Sequence, residues 1–162
     1  MKYIVFLFLA ATSLLFSQNS INGLVVGVSD GDTLKILDNS KTLYKIRLAE
    51  IDAPEKTQDY GQVSKKSLSD ICYKKQAVAY VANTDRYGRS VATVYCNNQN
   101  ANQYQVTKGM AWVYRQYSNN PSYIQAEQMA KRNKIGLWNI PNPIAPWEYR
   151  RASKKGYFSK SF

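Results

Sequence analysis

The sequence predicts an α+β domain: a small closed barrel of five short β-strands, with three helices packed on it. Three observations predict it. Five runs rich in β-branched and aromatic residues are bounded by Gly, Asn and Asp. Three further stretches repeat apolar residues at helical spacing. The length of 162 residues suits one domain, and a hydrophobic content of 44% suffices for a real core and argues against wholesale disorder.

In chain order, residues 1–20 stand apart. Lys2 supplies a positive charge and the run 4–16 is almost uninterruptedly apolar. That run is short for a bilayer span, which needs about 20 residues, so it reads as an export signal. Leu15 and Phe16 precede Ser17 where a cleavage site prefers small residues, so an uncleaved membrane anchor is the other reading. The expected location is exported, either periplasmic or secreted, and the default state is a monomer. Residues 21–150 are assigned to the folded domain and 151–162 to a basic C-terminal tail.

Strands are predicted at 24–28 and 33–37, on either side of Ser29, Asp30, Gly31 and Asp32. A third, at 43–48, alternates: Tyr44, Ile46 and Leu48 share one face, Lys45 and Arg47 the other. The last two, at 77–82 and 91–95, flank Asp85-Arg86-Tyr87-Gly88-Arg89. A helix over 62–72 turns Ser64, Leu68, Ile71 and Cys72 inward. A short one over 101–108 stops at Gly109. A third over 122–134 places Ala126, Met129 and Ala130 on one face, in spacing with Leu137. Ser122 is its expected cap, with Pro121 just before; Lys131, Arg132 and Lys134 suit its C-terminal end, and Gly136 stops it. Pro141, Pro143 and Pro146 follow. Five short strands with interspersed helices match the OB-fold, a barrel that often presents a nucleic-acid-binding face.

Lys and Arg number 22 against 11 Asp and Glu, a formal net charge of +11. Such an excess attracts polyanions: nucleic acid, anionic membrane and anionic glycans all qualify. The absence of histidine excludes histidine bases, His-ligated zinc and Ser-His-Asp chemistry. Cys72 and Cys96 are the only cysteines, and export favours a disulfide between them, worth about 3–4 kcal/mol if unstrained. Two buried thiols are the other reading.

Three blocks carry candidate chemistry. Asp30-Gly31-Asp32-Thr33 sets two carboxylates in a turn, and hard cations take several such oxygens. Alone it would pass for an ordinary Asp-Gly turn. The second, Arg47-Leu48-Ala49-Glu50-Ile51-Asp52-Ala53-Pro54-Glu55, has an arginine and then three acids; alone it would pass for a solvated face. The third, Asp85-Arg86-Tyr87-Gly88-Arg89, would pass for a tight turn.

In this order and spacing the three blocks resemble the staphylococcal nuclease (thermonuclease) family. The resemblance runs from about Val25 to Trp138, and includes Lys108-Gly109-Met110-Ala111-Trp112-Val113-Tyr114 and Gly136-Leu137-Trp138. Pro146-Trp147-Glu148-Tyr149-Arg150 is an ending seen in many bacterial relatives. The resemblance implies an OB-fold with three helices and Ca²⁺-dependent hydrolysis of DNA and RNA to 3′-phosphate products. It implies Asp32 and Asp52 as metal carboxylates, the carbonyl of Ala53 as a further ligand, and Asp30 in the outer shell. It also implies Glu55 as the residue that orients or deprotonates the attacking water, and Arg47 and Arg89 as phosphate clamps. Arg86 and Tyr87 match positions near the bound nucleotide. The best-known members carry Thr where Ala53 stands; a backbone carbonyl is indifferent to that change.

The chemistry agrees. Hydroxide must reach an already anionic phosphorus while charge builds on the phosphoryl and leaving oxygens. A divalent cation and guanidinium forks stabilise that charge, and without histidine a carboxylate is the obvious base. A carboxylate is a weak base at neutral pH, so higher activity is expected in alkali. The positive field of Lys65, Lys66, Lys74, Lys75, Lys131, Arg132 and Lys134 suits a polyanion. Two other readings stand beside this one. A noncatalytic nucleic-acid-binding OB-fold module predicts loss of at least one of Asp32, Arg47, Asp52, Glu55 and Arg89, and all are present. A cationic protein of membranes or cell-wall polymers leaves the acidic residues unexplained.

Overall fold

The computed structural model describes residues 19–155. The expected signal or anchor up to residue 18, and the expected tail from 156, lie outside the described residues. The strands are β1 (Ser20–Asp30), β2 (Thr33–Leu37), β3 (Leu43–Leu48), β4 (Ile51–Asp52), β5 (Gln76–Thr84), β6 (Ser90–Cys96), β7 (Gln99–Asn100) and β8 (Trp112–Val113). The helices are α1 (Gly61–Cys72), α2 (Ala101–Thr107), α3 (Pro121–Arg132) and α4 (Pro146–Lys154), with a 3-10 turn at Gly136–Asn139.

Five strands run in the order β3, β2, β1, β5, β6 with antiparallel neighbours. The sheet curls until β6 meets β3 in parallel, Ile46 opposite Ser90 and Leu48 opposite Ala92. This closure makes the OB-fold barrel and removes the sheet edges. Alternation fills it: Leu34 and Ile36, Ile46 and Leu48, Ala77 and Ala79, and Ala92 and Val94 are all buried. Register shifts bend β1 near Val28, so its end at Asp30 turns away from a regular ladder.

The first three helices fall where sequence spacing predicts them, and α1 buries Ser64, Leu68 and Cys72. Cys72, the last residue of α1, is joined to Cys96, the last of β6, as the expected disulfide. Two details of α3 differ. Its cap is Asn120, whose side chain accepts from the N–H of Ser122; Ser122 is not the cap. A residue before proline is held extended, so Asn120 stays outside the helix and Pro121 becomes its first residue. Met129 is exposed, and the inward face is Tyr123, Glu127 and Ala130. Buried Glu127 accepts from the N–H of Val113 (2.9 Å), from Arg115 (3.1 Å) and from Lys131 (3.0 Å). Those three donors offset its desolvation.

The fourth helix, α4, adds to the three expected. Pro146 starts it, a position where a missing N–H costs nothing, and Arg151 and Lys154 suit its C-terminal end. The boundary drawn at residue 150 therefore falls inside a helix. Among the described residues no helix is long and apolar enough to cross a membrane.

Candidate active site

The chain gathers its charged residues at one end of the barrel with buried amides. Asn102 of α2 accepts from the N–H of Val94 (3.0 Å) and donates to the carbonyls of Ala49 (2.9 Å) and Ala92 (3.2 Å). Gln105 donates to the carbonyls of Gly31 (2.8 Å) and Ser64 (3.0 Å). One short helix thus holds the loop of Asp30 and Asp32 and the loop after Arg47 at fixed places. Gly31 is required by crowding: a Cβ there would strike Ser64 Oγ and Ala53 Cβ. Gly61 has the same role against the carbonyl of Glu55.

Asp32 lies between β1 and β2 and is almost wholly buried. Its Oδ1 accepts from Thr33 Oγ1 (3.0 Å), and its Oδ2 accepts from the N–H of Ala53 (2.9 Å). Arg47, on β3, brings Nη1 within 2.6 Å of Asp32 Oδ2. That nitrogen is buried and makes an ion pair without the alignment of a hydrogen bond. Nη2 donates to Asp52 Oδ1 (3.0 Å) and to the carbonyl of Ile51 (3.3 Å). Asp52 sits on β4, which pairs with β8 so that Asp52 faces Trp112. Asp30 accepts from the N–H of Asp32 (3.2 Å). Asp32, Arg47 and Asp52 are therefore in direct contact, with Ala53 and Asp30 against Asp32.

Arg89 enters from the turn between β5 and β6. Asp85 shapes that turn: Oδ1 accepts from the N–H groups of Tyr87 (2.9 Å) and Arg89 (3.0 Å), and Oδ2 from Arg89 Nε (2.7 Å). Arg89 Nη1 reaches Thr33 Oγ1 at 3.5 Å, which connects it through Thr33 to Asp32. Exposed Tyr87 lies under both guanidinium groups, 5.0 Å from Arg86 and 5.7 Å from Arg89. The pair expected to flank the nucleotide is thus next to Arg89, the expected phosphate clamp. Glu50, the first acid of its block, points elsewhere and accepts from Ser118 (3.0 Å).

Sequence reasoning missed Arg150. From α4, its Nη1 donates to Glu55 Oε1 (2.7 Å) and Asp52 Oδ1 (3.2 Å), and its Nη2 to Asp52 Oδ2 (2.7 Å). The one available signal was the ending Pro146–Arg150, a part of the family resemblance. Trp147, three residues earlier, stacks on Tyr114 with ring centroids 5.2 Å apart.

Electrostatics follow from this packing. Burial, then the charge of Asp32, push Asp30 up to about 6. Burial also acts on Asp32, but the charge of Arg47 and the N–H of Ala53 outweigh it and hold Asp32 below its ordinary value. Burial pushes Asp52 up against the hydrogen bonds from Arg150.

The sequence model for the family described as staphylococcal nuclease homologue matches residues 45–140. The chain belongs to this family. The family match spans Arg47, Asp52, Ala53, Glu55 and the turn of Arg86 to Arg89, and stops short of Asp32 on one side and Arg150 on the other. A Haemophilus influenzae protein named "Uncharacterized endonuclease" is 51% identical over 130 residues, covering 80% of this chain and 73% of that one. An Escherichia coli protein of the same name is 41% identical over 131 residues, covering 80% and 85%. A "Micrococcal nuclease" of Shigella flexneri is 38% identical over 143 residues, covering 82% of each. The family and these names support a nuclease.

The donors fit a hard cation. Asp32, Asp52 and the Ala53 carbonyl are all oxygens, and Asp30 adds negative charge that burial has left poorly compensated. Among the described residues no group of three or more Asp, Glu, His or Cys side chains is arranged to hold a metal unaided. Arg47 lies between Asp32 and Asp52, and Arg150 between Asp52 and Glu55. A cleft of about 390 Å³ beside the Glu55 loop is lined by Pro54, Trp112 and Ile144 among others, and by none of the site's charged groups. This cleft therefore lies beside the charged cluster and not within it.

Proposed function

We propose that the protein is a calcium-dependent phosphodiesterase that hydrolyses DNA and RNA to 3′-phosphate products. One observation carries the reading: three separate segments bring Asp32, Arg47 and Asp52 into contact, with Glu55 and Arg89 each one residue away through Arg150 and Thr33. Asp32, Asp52 and the Ala53 carbonyl would hold Ca²⁺, with Asp30 in its outer shell. A cation held by those oxygens would supply charge to offset a phosphoryl oxygen and would make a bound water more acidic.

The chain's own residues do the rest. Arg47 is held beside the proposed cation ligands by Asp32 and Asp52, and its fork would meet a phosphoryl oxygen there. Arg89 is pre-oriented by Asp85, so little entropy is lost when its fork meets the phosphate. Glu55 is partly exposed at the mouth of the site, where it can accept a proton from the attacking water. Arg86 and Tyr87 flank the nucleotide. Export, by the N-terminal segment, would put the enzyme where foreign nucleic acid is met.

The test is cleavage of single-stranded and duplex DNA with Ca²⁺ and then with a chelator, beside Glu55→Ala and Arg89→Ala. Expected are cleavage only with Ca²⁺ and a loss of about 10²–10³-fold in kcat for each substitution. DNA binding without cleavage by the folded wild-type chain would instead establish a noncatalytic binding module.

A further inference from the structure

Among the described residues, Arg150 is the one arginine in contact with Asp52 that has no role in the proposed reaction. Asp52 is 2% exposed in its side chain, and both its oxygens carry guanidinium groups. Oδ1 is shared by Arg47 and Arg150, whereas Oδ2 takes only the bond from Arg150 among those the structure gives. Arg47 is 16% exposed and is held on Asp32, Asp52 and the Ile51 carbonyl together. Arg150 is 38% exposed and reaches in on a long stem. A cation that takes Asp52 must displace one of these groups, and Arg150 is the more accessible.

We propose that Arg150 is a third phosphate-binding arginine, which neutralises Asp52 and Glu55 until a hard cation takes Asp52 and then turns its fork to the substrate phosphate. The inference rests on the cation and nuclease reading of the same site. Two observations carry it. Arg150 has a second partner in Glu55 at 2.7 Å, so release from Asp52 leaves it tethered at the mouth of the site. Its helix is anchored independently of that ion pair. Trp147 stacks flat on Tyr114 and meets Trp112 edge-on at 5.7 Å, Pro146 is buried, and the Tyr149 hydroxyl is 3.1 Å from Thr57 Oγ1. The backbone stays while the guanidinium moves. A planar fork that grips the two oxygens of a carboxylate grips those of a phosphate by the same geometry.

The experiment compares the full chain with Arg150→Gln and Arg150→Lys. Calcium affinity is measured by calorimetry without nucleic acid, kcat and KM on DNA at saturating Ca²⁺, and Tm in chelator. With its internal competitor removed, R150Q should bind Ca²⁺ about tenfold tighter, while kcat falls about 10²-fold. R150K, which keeps the charge and loses the fork, should bind Ca²⁺ like wild type and still lose kcat. Unchanged or weaker Ca²⁺ binding by R150Q, with a lower Tm, would make Arg150 a clamp for α4 and overturn the exchange. Tighter binding with unchanged kcat would overturn the hand-over to phosphate. A wild-type chain that neither binds Ca²⁺ nor cuts DNA would overturn the nuclease reading itself, a result distinct from either.

Discussion

Asp30 is a residue whose environment disfavours its charge. Burial, and then its neighbour Asp32, raise it from 3.8 to about 6. A raised folded value means that its contribution to stability is fully present below pH 3.8 and is lost as pH rises through about 6. Asp30→Asn removes that penalty. In chelator it should stabilise the fold by about 1–2 kcal/mol at pH 8 and have little effect near pH 3.8, allowing for solvent at a partly buried group. Urea unfolding at the two pH values checks this, and equal effects at both would refute it. Asp85 behaves oppositely: burial opposes its charge, but the N–H and guanidinium of Arg89 outweigh burial and lower its value. Its hold on Arg89 is therefore lost only in acid. At this scale the sequence showed residue types and not partners. Arg150 stands 98 positions from Asp52, and no local pattern links them.

The elements show where local signals succeed. The runs around 33–37 and 43–48 alternate, and they form β2 and β3 at those residues because a half-buried strand needs period two. The α3 face is less legible, since burying Glu127 depends on Val113, Arg115 and Lys131 arriving from outside or along the helix. A proline-rich stretch also hides α4, because Pro146 can begin a helix as readily as it can interrupt one. The disulfide belongs to this scale. It joins the end of α1 to the end of β6, whereas Gly61 and Ser90, the opposite ends of those elements, lie toward Glu55 and Arg89. Replacing Cys72 and Cys96 together by Ala should cost about 3 kcal/mol of stability while leaving kcat unchanged well below Tm. Denaturant unfolding beside the cleavage assay measures both, and a lost kcat in the folded variant would show that the bridge also sets the site.

Across the whole molecule the net charge is +11, and within the site Asp32, Asp52 and Glu55 are matched by Arg47 and Arg150. The excess of positive charge attracts a polyanion. Some of the lysines expected to supply it are engaged: Lys66 with Asp70, and Lys131 with Glu127 while lying 4.4 Å over Trp138. Binding should still follow counterion release. KM for DNA should rise at least about tenfold between 50 and 200 mM salt, with kcat changing little. Initial rates across a salt series read this directly, and a flat KM would assign the charge to another partner.

By itself the sequence determined the five barrel strands, three of the helical segments and the three blocks of charged residues, and it offered a single possible cysteine pair, which the structure shows bonded. All of these depend on patterns within a few residues or on a choice with one solution: alternation, helical spacing, turn chemistry and a single cysteine pair. Tertiary structure alone decided how the charges meet. Closure of β3 on β6, the amides of Asn102 and Gln105, and the docking of α4 set Arg47 and Arg150 among Asp32, Asp52 and Glu55. Those contacts join residues far apart in the chain, and packing of the whole core fixes their distances, which no local preference encodes.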